Sequence, residues 1–168
     1  AGHQMAEIIQ CYREAVPAMR FIGRKYDGFT SWGECFSTDT FGAIERAMGG
    51  VEAVRALWKD GGYVGLERHC DGEPFAYYIG MFTPPDTPVP NGLCSVDFDE
   101  ACFGVCWFYG DGSYDPGACA ARLKDAGFKI GKDAQGAVWS FQNCTCPRYT
   151  TPDEKGNIIS DYAFILAS

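Results

Sequence analysis

Apolar and polar positions alternate in two stretches of the chain that have the same form. PAMRFIGRKYDG (residues 17–28) has Met19 and Phe21 on one side and ends in Asp-Gly, a pair typical of a turn. ACFGVCWFYGDG (residues 101–112) ends in the same pair and has small residues on one face and bulky aromatic residues on the other. The alternation predicts a β-strand in each stretch.

Helical periodicity follows each predicted strand. After the first, residues 32–48 and 51–58 carry apolar side chains at every third or fourth position, which is typical of an amphipathic helix. After the second, residues 114–127 open with Asp115, a helix-capping residue, and with Pro116, which suits a first helical turn, and they close on a glycine. The pattern predicts a helical region behind each strand.

Two more strands are predicted after each helical region. In the first half they are joined across an Asp-Gly turn, and in the second half through a longer connection: residues 63–70, 75–82, 137–143 and 157–166. The order strand, helix, strand, strand thus occurs twice. It predicts an α+β fold made of tandem duplicated β-α-β-β units with antiparallel sheets.

The predicted units have boundaries within a single domain. Repeat one covers about 6–82 and repeat two about 95–167, within a domain of residues 6–168. The segment between them, 83–94, contains TPPDTPVPNG, which is too rich in proline for a helix or a central strand and predicts a linker. AGHQM, residues 1–5, is interpreted as an expression remnant.

The aromatic strand faces raise the question of what covers them. Each helix is expected to cover the small-residue face of its sheet, and the remaining faces are expected to meet each other. Tyr and Trp carry polar tips that need partners when buried, which favours a cleft lined by aromatic side chains. The alternative is that the rings fill the core between the two units.

Composition narrows the classes of function. The 168 residues carry a formal net charge of −8, which argues against direct nucleic-acid binding, because phosphate recognition needs clustered Lys and Arg. No run approaches the roughly 20 apolar residues of a membrane helix, and no signal-peptide pattern opens the chain. A cytoplasmic protein with no membrane partner is therefore predicted.

Nine cysteines occur at irregular spacings. Neither close pair, Cys102 with Cys106 or Cys144 with Cys146, is followed by a second pair or a His cluster of the kind that zinc uses. The cysteines are therefore predicted to be reduced packing residues, with no metal and no cofactor.

Several ordered segments together carry a family resemblance. PAMRFIG, FAYYIGMF, FGVCWFYG and CPRYTTPDEKGNIISDYAFIL resemble the GyrI-like family, the effector-binding domain attached to AraC-type and MerR-type bacterial transcription activators. The resemblance spans residues 7–166. It implies a tandem, SHS2-like pair of β-α-β-β units with pseudo-two-fold symmetry and a ligand cleft between them. It also implies hydrophobic, aromatic or cationic small-molecule ligands, and some stand-alone members hydrolyse cyclopropane-bearing compounds.

The family pattern places a Glu on the strand after the second helix, and this chain has Gln142 there. Glutamine forms hydrogen bonds but neither takes up a proton at neutral pH nor offsets a ligand's charge. Glu67 is the remaining candidate for a catalytic acid, although charged strand residues usually face solvent. The residues expected to contact a ligand are Tyr77, Trp107, Tyr109, Trp139, Gln142, Phe21 and Tyr149.

The sequence predicts a small-molecule-binding domain, either stand-alone or cut from a regulator with a separate or fused DNA-binding module. One alternative is a hydrolase of reactive small molecules with the same fold. Another is a protein-interaction module, which a large exposed apolar patch would permit.

Overall fold

Eight strands form one antiparallel sheet in the part of the chain that the structure describes, residues 6–26 and 32–168 of a computed structural model. The proposed expression remnant at residues 1–5 and the predicted Asp27-Gly28 turn lie outside the described residues. The α+β class is confirmed, with a large antiparallel sheet and few helices.

The elements follow one another in an order close to the predicted one. The strands are β1 (Glu7–Val16), β2 (Met19–Tyr26), β3 (Tyr63–His69), β4 (Ala76–Thr83), β5 (Cys94–Phe98), β6 (Ala101–Gly110), β7 (Val138–Cys144) and β8 (Ile158–Ile165). The helices are α1 (Trp32–Phe36), α2 (Thr40–Met48), α3 (Glu52–Arg55) and α4 (Pro116–Asp125). Across the sheet the strands lie in the order β1-β6-β8-β7-β3-β4-β2-β5.

The strand pairing corrects the expectation of separate sheets. β3 and β7 pair antiparallel from Tyr63 opposite Cys144 to His69 opposite Val138, and this ladder joins the two halves into one sheet. β1 and β5 were not anticipated. They form the two edges of the sheet, where β1 pairs with β6 and β5 pairs with β2, so that each edge strand joins the other half of the chain.

The helix on the small-residue face of β6 is confirmed. Asp115 caps α4 by accepting a hydrogen bond of 3.2 Å from the backbone N–H of Ala118. Leu123 of α4 packs so closely on Gly104 that a Cβ at this glycine would lie 2.8 Å from a Leu123 methyl carbon. The small residues of β6 therefore allow the helix to approach the sheet.

The other face of the sheet contains an interlocked aromatic core. The rings of Phe82, Phe103 and Phe141 lie 5.0 to 6.2 Å apart between centroids, and Trp58 packs edge-on against all three. Phe82 is on β4 and Phe103 on β6, which would stand about 19 Å apart in a flat sheet at ~4.8 Å per strand. Their contact shows that the sheet curves until its two halves meet.

Candidate functional site

A large cavity lies on the helical face of the sheet, above the junction of β3 and β7. Its volume of about 840 Å³ is within the range of small-molecule sites. It is lined by Trp32, Phe36, Glu45, Val51, Val54, Arg55, Lys59, Gly61, Gly62, Tyr63, Met81, Gly112, Tyr114, Gln142, Cys144, Cys146, Tyr149 and Thr150.

Aromatic rings from different elements form the wall of this cavity. Tyr63 stacks on Phe41 of α2 with ring centroids 3.8 Å apart, and Phe41 in turn lies parallel to Trp32. The indole N–H of Trp32 donates a hydrogen bond of 3.0 Å to the hydroxyl of Tyr77. Gly65 leaves room for this pair, because a Cβ there would lie 2.6 Å from the Tyr77 oxygen.

The charged residues of the cavity rim have both signs. Glu45 of α2 lines the cavity together with Arg55 and Lys59, which are both exposed. Exposed charges of this kind are screened by solvent and contribute little to binding. Arg55 and Lys59 are therefore expected to contribute little to the selection of a charged ligand.

A buried carboxylate lies behind the aromatic wall. Glu67 is only 1% exposed, and its Oε2 accepts a hydrogen bond of 2.5 Å from the hydroxyl of Tyr162. The same hydroxyl lies 2.8 Å from Oγ of Ser140, and Nε2 of His69 lies 3.5 Å from Oε1 of Glu67. Burial raises the pKa of Glu67, while Tyr162 and His69 oppose that rise.

Two rings connect the carboxylate to the cavity. Tyr114 lines the cavity and stacks on Tyr162, the hydrogen-bond donor of Glu67, with ring centroids 4.9 Å apart. On the other side Trp32 lines the cavity and contacts Tyr77, whose pKa is raised by burial and by the Glu67 charge to about 12. Glu67 itself does not line the cavity, so a ligand would meet the rings before the acid.

Gln142 occupies the floor of the cavity. It is 6% exposed, and its side-chain nitrogen donates a hydrogen bond of 2.9 Å to Oγ of Ser160. Gln142 lies opposite Gly65, and Glu67 follows two residues later on the same face of β3. The two side chains are therefore diagonal neighbours, about 7–8 Å apart at their Cα atoms. Glu67 on β3 thus lies one strand away from Gln142 on β7, the position where the family resemblance places a Glu.

The structure divides the sequence-predicted site residues between the two faces of the sheet. Gln142 and Tyr149 line the large cavity, and Tyr77 and Glu67 lie directly behind its wall. The others lie on the opposite face: Phe21, Trp107, Tyr109 and Trp139.

Each residue on the opposite face has partners of its own. Phe21 is fully buried against Tyr78 and Phe82. The guanidinium carbon of Arg148 lies 4.3 Å from the ring centroid of Trp107, in a hollow of about 460 Å³. The hydroxyl of Tyr109 donates to Asp153, and the indole N–H of Trp139 donates to Asp133 at 2.9 Å, beside a hollow of about 550 Å³. A ligand role for these side chains stays a prediction.

Several wall residues were not predicted from the sequence, among them Trp32, Tyr63 and Tyr114. Trp32 begins α1, Tyr63 begins β3 and Tyr114 precedes the cap of α4, so all three stand at the ends of elements. Tyr63 shares its strand parity with Glu67, which is a signal that the sequence does carry. No pattern in the sequence around Trp32 or Tyr114 indicates that these two segments meet above β3 and β7.

Comparison with known proteins shows a shared fold without a sequence match. No family's sequence profile matches the chain, and no curated protein matches it. A Staphylococcus aureus MU50 protein classed with bacterial transcription regulation proteins is similar, with a TM-score of 0.54 at 13% identity over 95% of this chain and 99% of that one. The C-terminal domain of EcmrR has a TM-score of 0.50 at 8% identity, over 95% of this chain and 98% of that domain.

A further solved structure is less similar. SAV2435 bound to tetraphenylphosphonium has a TM-score of 0.49 at 12% identity, with 95% of each chain covered. Identities this low show the fold alone for the first two structures, and the TM-score of SAV2435 is too low to carry an argument. The fold that this chain shares with a transcription regulation protein agrees with the type of fold that the sequence resemblance implies.

The described residues also lack two other features. No helix among them is long and apolar enough to cross a membrane. No group of three or more His, Cys, Asp or Glu side chains in residues 6–26 and 32–168 is placed to hold a metal ion.

Proposed function

We propose that this chain is a small-molecule-binding domain of the effector-binding type, with its ligand in the 840 Å³ cavity. The observation that carries the proposal is a large aromatic-walled cavity with the buried carboxylate of Glu67 behind the wall. The fold shared with a bacterial transcription regulation protein supports a regulatory context. The charge of −8 supports a DNA contact made by a separate or fused module and not by this domain.

The strand order supports a duplicated fold of the GyrI-like type. Outward from the central pair, the strands run β3, β4, β2, β5 on one side and β7, β8, β6, β1 on the other, so that corresponding strands take corresponding places. Helices α1–α3 lie between β2 and β3, and α4 lies between β6 and β7. We propose repeats over 6–82 and 95–167 with a linker at 83–94, related by a pseudo-two-fold axis between β3 and β7.

The ligand class follows from the wall and the acid together. The faces of Trp32, Tyr63 and Tyr114 offer stacking and cation-π contacts to a planar aromatic cation. A buried carboxylate is costly when ionised and unpaired, and a cation nearby offsets that cost. We therefore propose hydrophobic aromatic cations as ligands, with Gln142 and Tyr149 as direct polar contacts.

Tryptophan fluorescence tests both the binding and its location. Rhodamine 6G is expected to quench the wild-type emission saturably, and the Trp32→Phe variant to lose most of that quenching. Trp107→Phe and Trp139→Phe are the matched controls, because these indoles lie on the opposite face, and they are expected to keep it. Quenching that depends on Trp107 or Trp139 instead would place the ligand on the opposite face. No saturable quenching by cationic or neutral dyes would overturn the binding proposal.

A hydrolase is the second candidate because Glu67 has the properties of a general base. Its pKa is raised by burial, and its hydrogen bond to Tyr162 fixes one oxygen and leaves the other facing His69. Incubation with cyclopropane-bearing electrophiles, followed by mass spectrometry, tests this activity. Hydrolysis that Glu67→Gln abolishes and Gln142→Glu increases supports an enzyme. Turnover that is unchanged in Glu67→Gln excludes Glu67 as the base.

A further inference from the structure

Two cysteines face each other on adjacent strands, and neither of them lines the large cavity. Cys11 of β1 lies directly opposite Cys106 of β6, and both side chains belong to the cluster beneath α4. Directly opposed residues in an antiparallel pair have Cα atoms about 4.5–5.5 Å apart. This range falls within the roughly 4.4–6.8 Å that a disulfide spans.

A third thiol, that of Cys119, also contacts Cys106, but it lies on a helix and not on a paired strand. Sγ of Cys119, on α4, donates to the backbone oxygen of Tyr162 at 3.6 Å, and Sγ of Cys106 lies 3.9 Å from the backbone oxygen of Cys119. Cys102 lies four residues before Cys106 on the same face of β6, but it is opposite Ala15. The register therefore selects Cys11 as the cross-strand partner of Cys106.

The two thiols differ in access and in acidity. Cys11 is half-buried, whereas Cys106 is fully buried, so an oxidant from solution meets Cys11 first. Burial raises the pKa of Cys11 to about 11, so that few molecules carry its thiolate at neutral pH. The neighbouring thiols of Cys119 and Cys11 lower the pKa of Cys106 by hydrogen bonding. We therefore expect attack by Cys11 to be the slower step and attack by Cys106 to be the faster one.

We propose that Cys11 and Cys106 form a redox site, which a low-molecular-weight disulfide such as oxidised glutathione converts to an intramolecular disulfide. The Cys11 thiolate attacks one sulfur of glutathione disulfide, whose S–S bond breaks to release one glutathione as a thiol after protonation. The Cys106 thiolate then attacks the Cys11 sulfur of the mixed disulfide and displaces the second glutathione. The two protein thiols lose two electrons and two protons, and one glutathione disulfide becomes two glutathione molecules.

Peptide mapping of the oxidised full chain tests the proposal. After treatment with oxidised glutathione, the protein is expected to lose about 2 Da and two titratable thiols per chain. Alkylation under non-reducing conditions and digestion with trypsin and chymotrypsin then locate the link. Cleavage after Phe103 and Trp107 separates Cys106 from Cys102 and from Cys119, so the partner of each sulfur is read directly. Cys11 linked to Cys106 is the expected product, and its formation is expected to accelerate about tenfold per pH unit below pH 10.

Two serine variants provide matched controls. Cys102→Ser is expected to form the link at the wild-type rate, because Cys102 has no thiol opposite it. Cys11→Ser is expected to abolish the link. A Cys106–Cys119 disulfide, a glutathione adduct that persists on Cys11, or no thiol loss in the wild type would overturn the proposal. The wild-type map decides the matter even if Cys11→Ser does not fold, and it is independent of any ligand in the cavity.

Discussion

The hydroxyl of Tyr162 donates a hydrogen bond of 2.5 Å to Oε2 of Glu67, across the width of three strands. Tyr162 is on β8 and Glu67 on β3, with Ser140 of the intervening β7 also 2.8 Å from the hydroxyl. The bond therefore joins the two halves of the chain at the centre of the sheet. It also opposes the rise in the pKa of Glu67 that burial causes.

Removal of this donor is expected to destabilise the protein in a pH-dependent way. In Tyr162→Phe the ionised Glu67 loses its hydrogen bond, so the free energy of unfolding at pH 8 is expected to fall by about 1–3 kcal/mol. Since burial already raises the folded-state pKa of Glu67, its ionisation costs stability as pH rises through that value. The loss is therefore expected to shrink toward pH 4, where Glu67 is protonated.

Urea denaturation between pH 4 and pH 8 measures the effect. Tyr109→Phe is the control, because the hydroxyl of Tyr109 bonds to the exposed Asp153 at the surface, and little change is expected from its loss. An equal loss of stability at both pH values in Tyr162→Phe would show that Glu67 is not the group affected.

Cation binding is expected to depend on the protonation of Glu67. A bound aromatic cation favours the ionised carboxylate, so its affinity should rise with pH through the raised pKa of Glu67 and then level off. In Glu67→Gln the affinity should fall about tenfold and lose this pH dependence, while a neutral dye of similar shape should bind both proteins equally. Dissociation constants from pH 4 to 8 test the expectation. A pH profile that is unchanged in Glu67→Gln would remove this acid from the site.

Some helices and strands could be predicted from the sequence more accurately than others. β3 and β4 were predicted within one residue, because their apolar runs end at an Asp-Gly turn, and α4 was predicted from its Asp115 cap. β1 was missed because the register shift between Ile8 and Gln10 breaks its alternation, and because edge strands are exposed on one side. Alternation shows which residues share a face, but not which strands become neighbours.

The candidate site was less accessible to prediction than the fold. Gln142 and Tyr149 were predicted through the family resemblance, since no local pattern marks them as cavity residues. The burial of Glu67 depends on Tyr162, which lies 95 residues further along the chain. The bulky aromatic side of β6 favoured a cleft on that face of the sheet. The structure fills this face with interlocked rings near Phe103. Which face holds the large cavity follows from how the helices pack, and periodicity does not contain that information.

Gly65 is expected to control the shape of the cavity wall. In Gly65→Ala the new Cβ would lie 2.6 Å from the Tyr77 oxygen and 3.2 Å from the Trp32 ring, so the Trp32–Tyr77 hydrogen bond should break. Overpacking of this kind typically costs about 1–3 kcal/mol of stability. Dye affinity should fall as well, since Trp32 lines the cavity.

Thermal unfolding and dye titration of the same samples separate these two effects. Gly33→Ala in α1 is the control, because its added Cβ has no atom within 4 Å, and it should be neutral or slightly stabilising. Wild-type dye affinity in Gly65→Ala would mean that Trp32 and Tyr77 do not shape the binding site.

Half-buried Arg148 and buried Asp161 form an ion pair on the opposite face of the sheet. Asp161 is 3% exposed, and Nε of Arg148 donates to its Oδ1 at 2.9 Å. Arg148→Met leaves this carboxylate buried and unpaired, so a loss of about 3–5 kcal/mol is expected. The double variant Arg148→Met with Asp161→Asn should recover part of that loss, because the uncompensated charge is gone.

Urea denaturation of the single and double variants measures the recovery. Arg55→Met is the control, because the partner of Arg55, Glu52, is exposed and the loss of this ion pair should change the stability little. If the double variant is no more stable than Arg148→Met, the buried charge is not the cause of the loss, and the packing of Arg148 on Trp107 is the alternative cause.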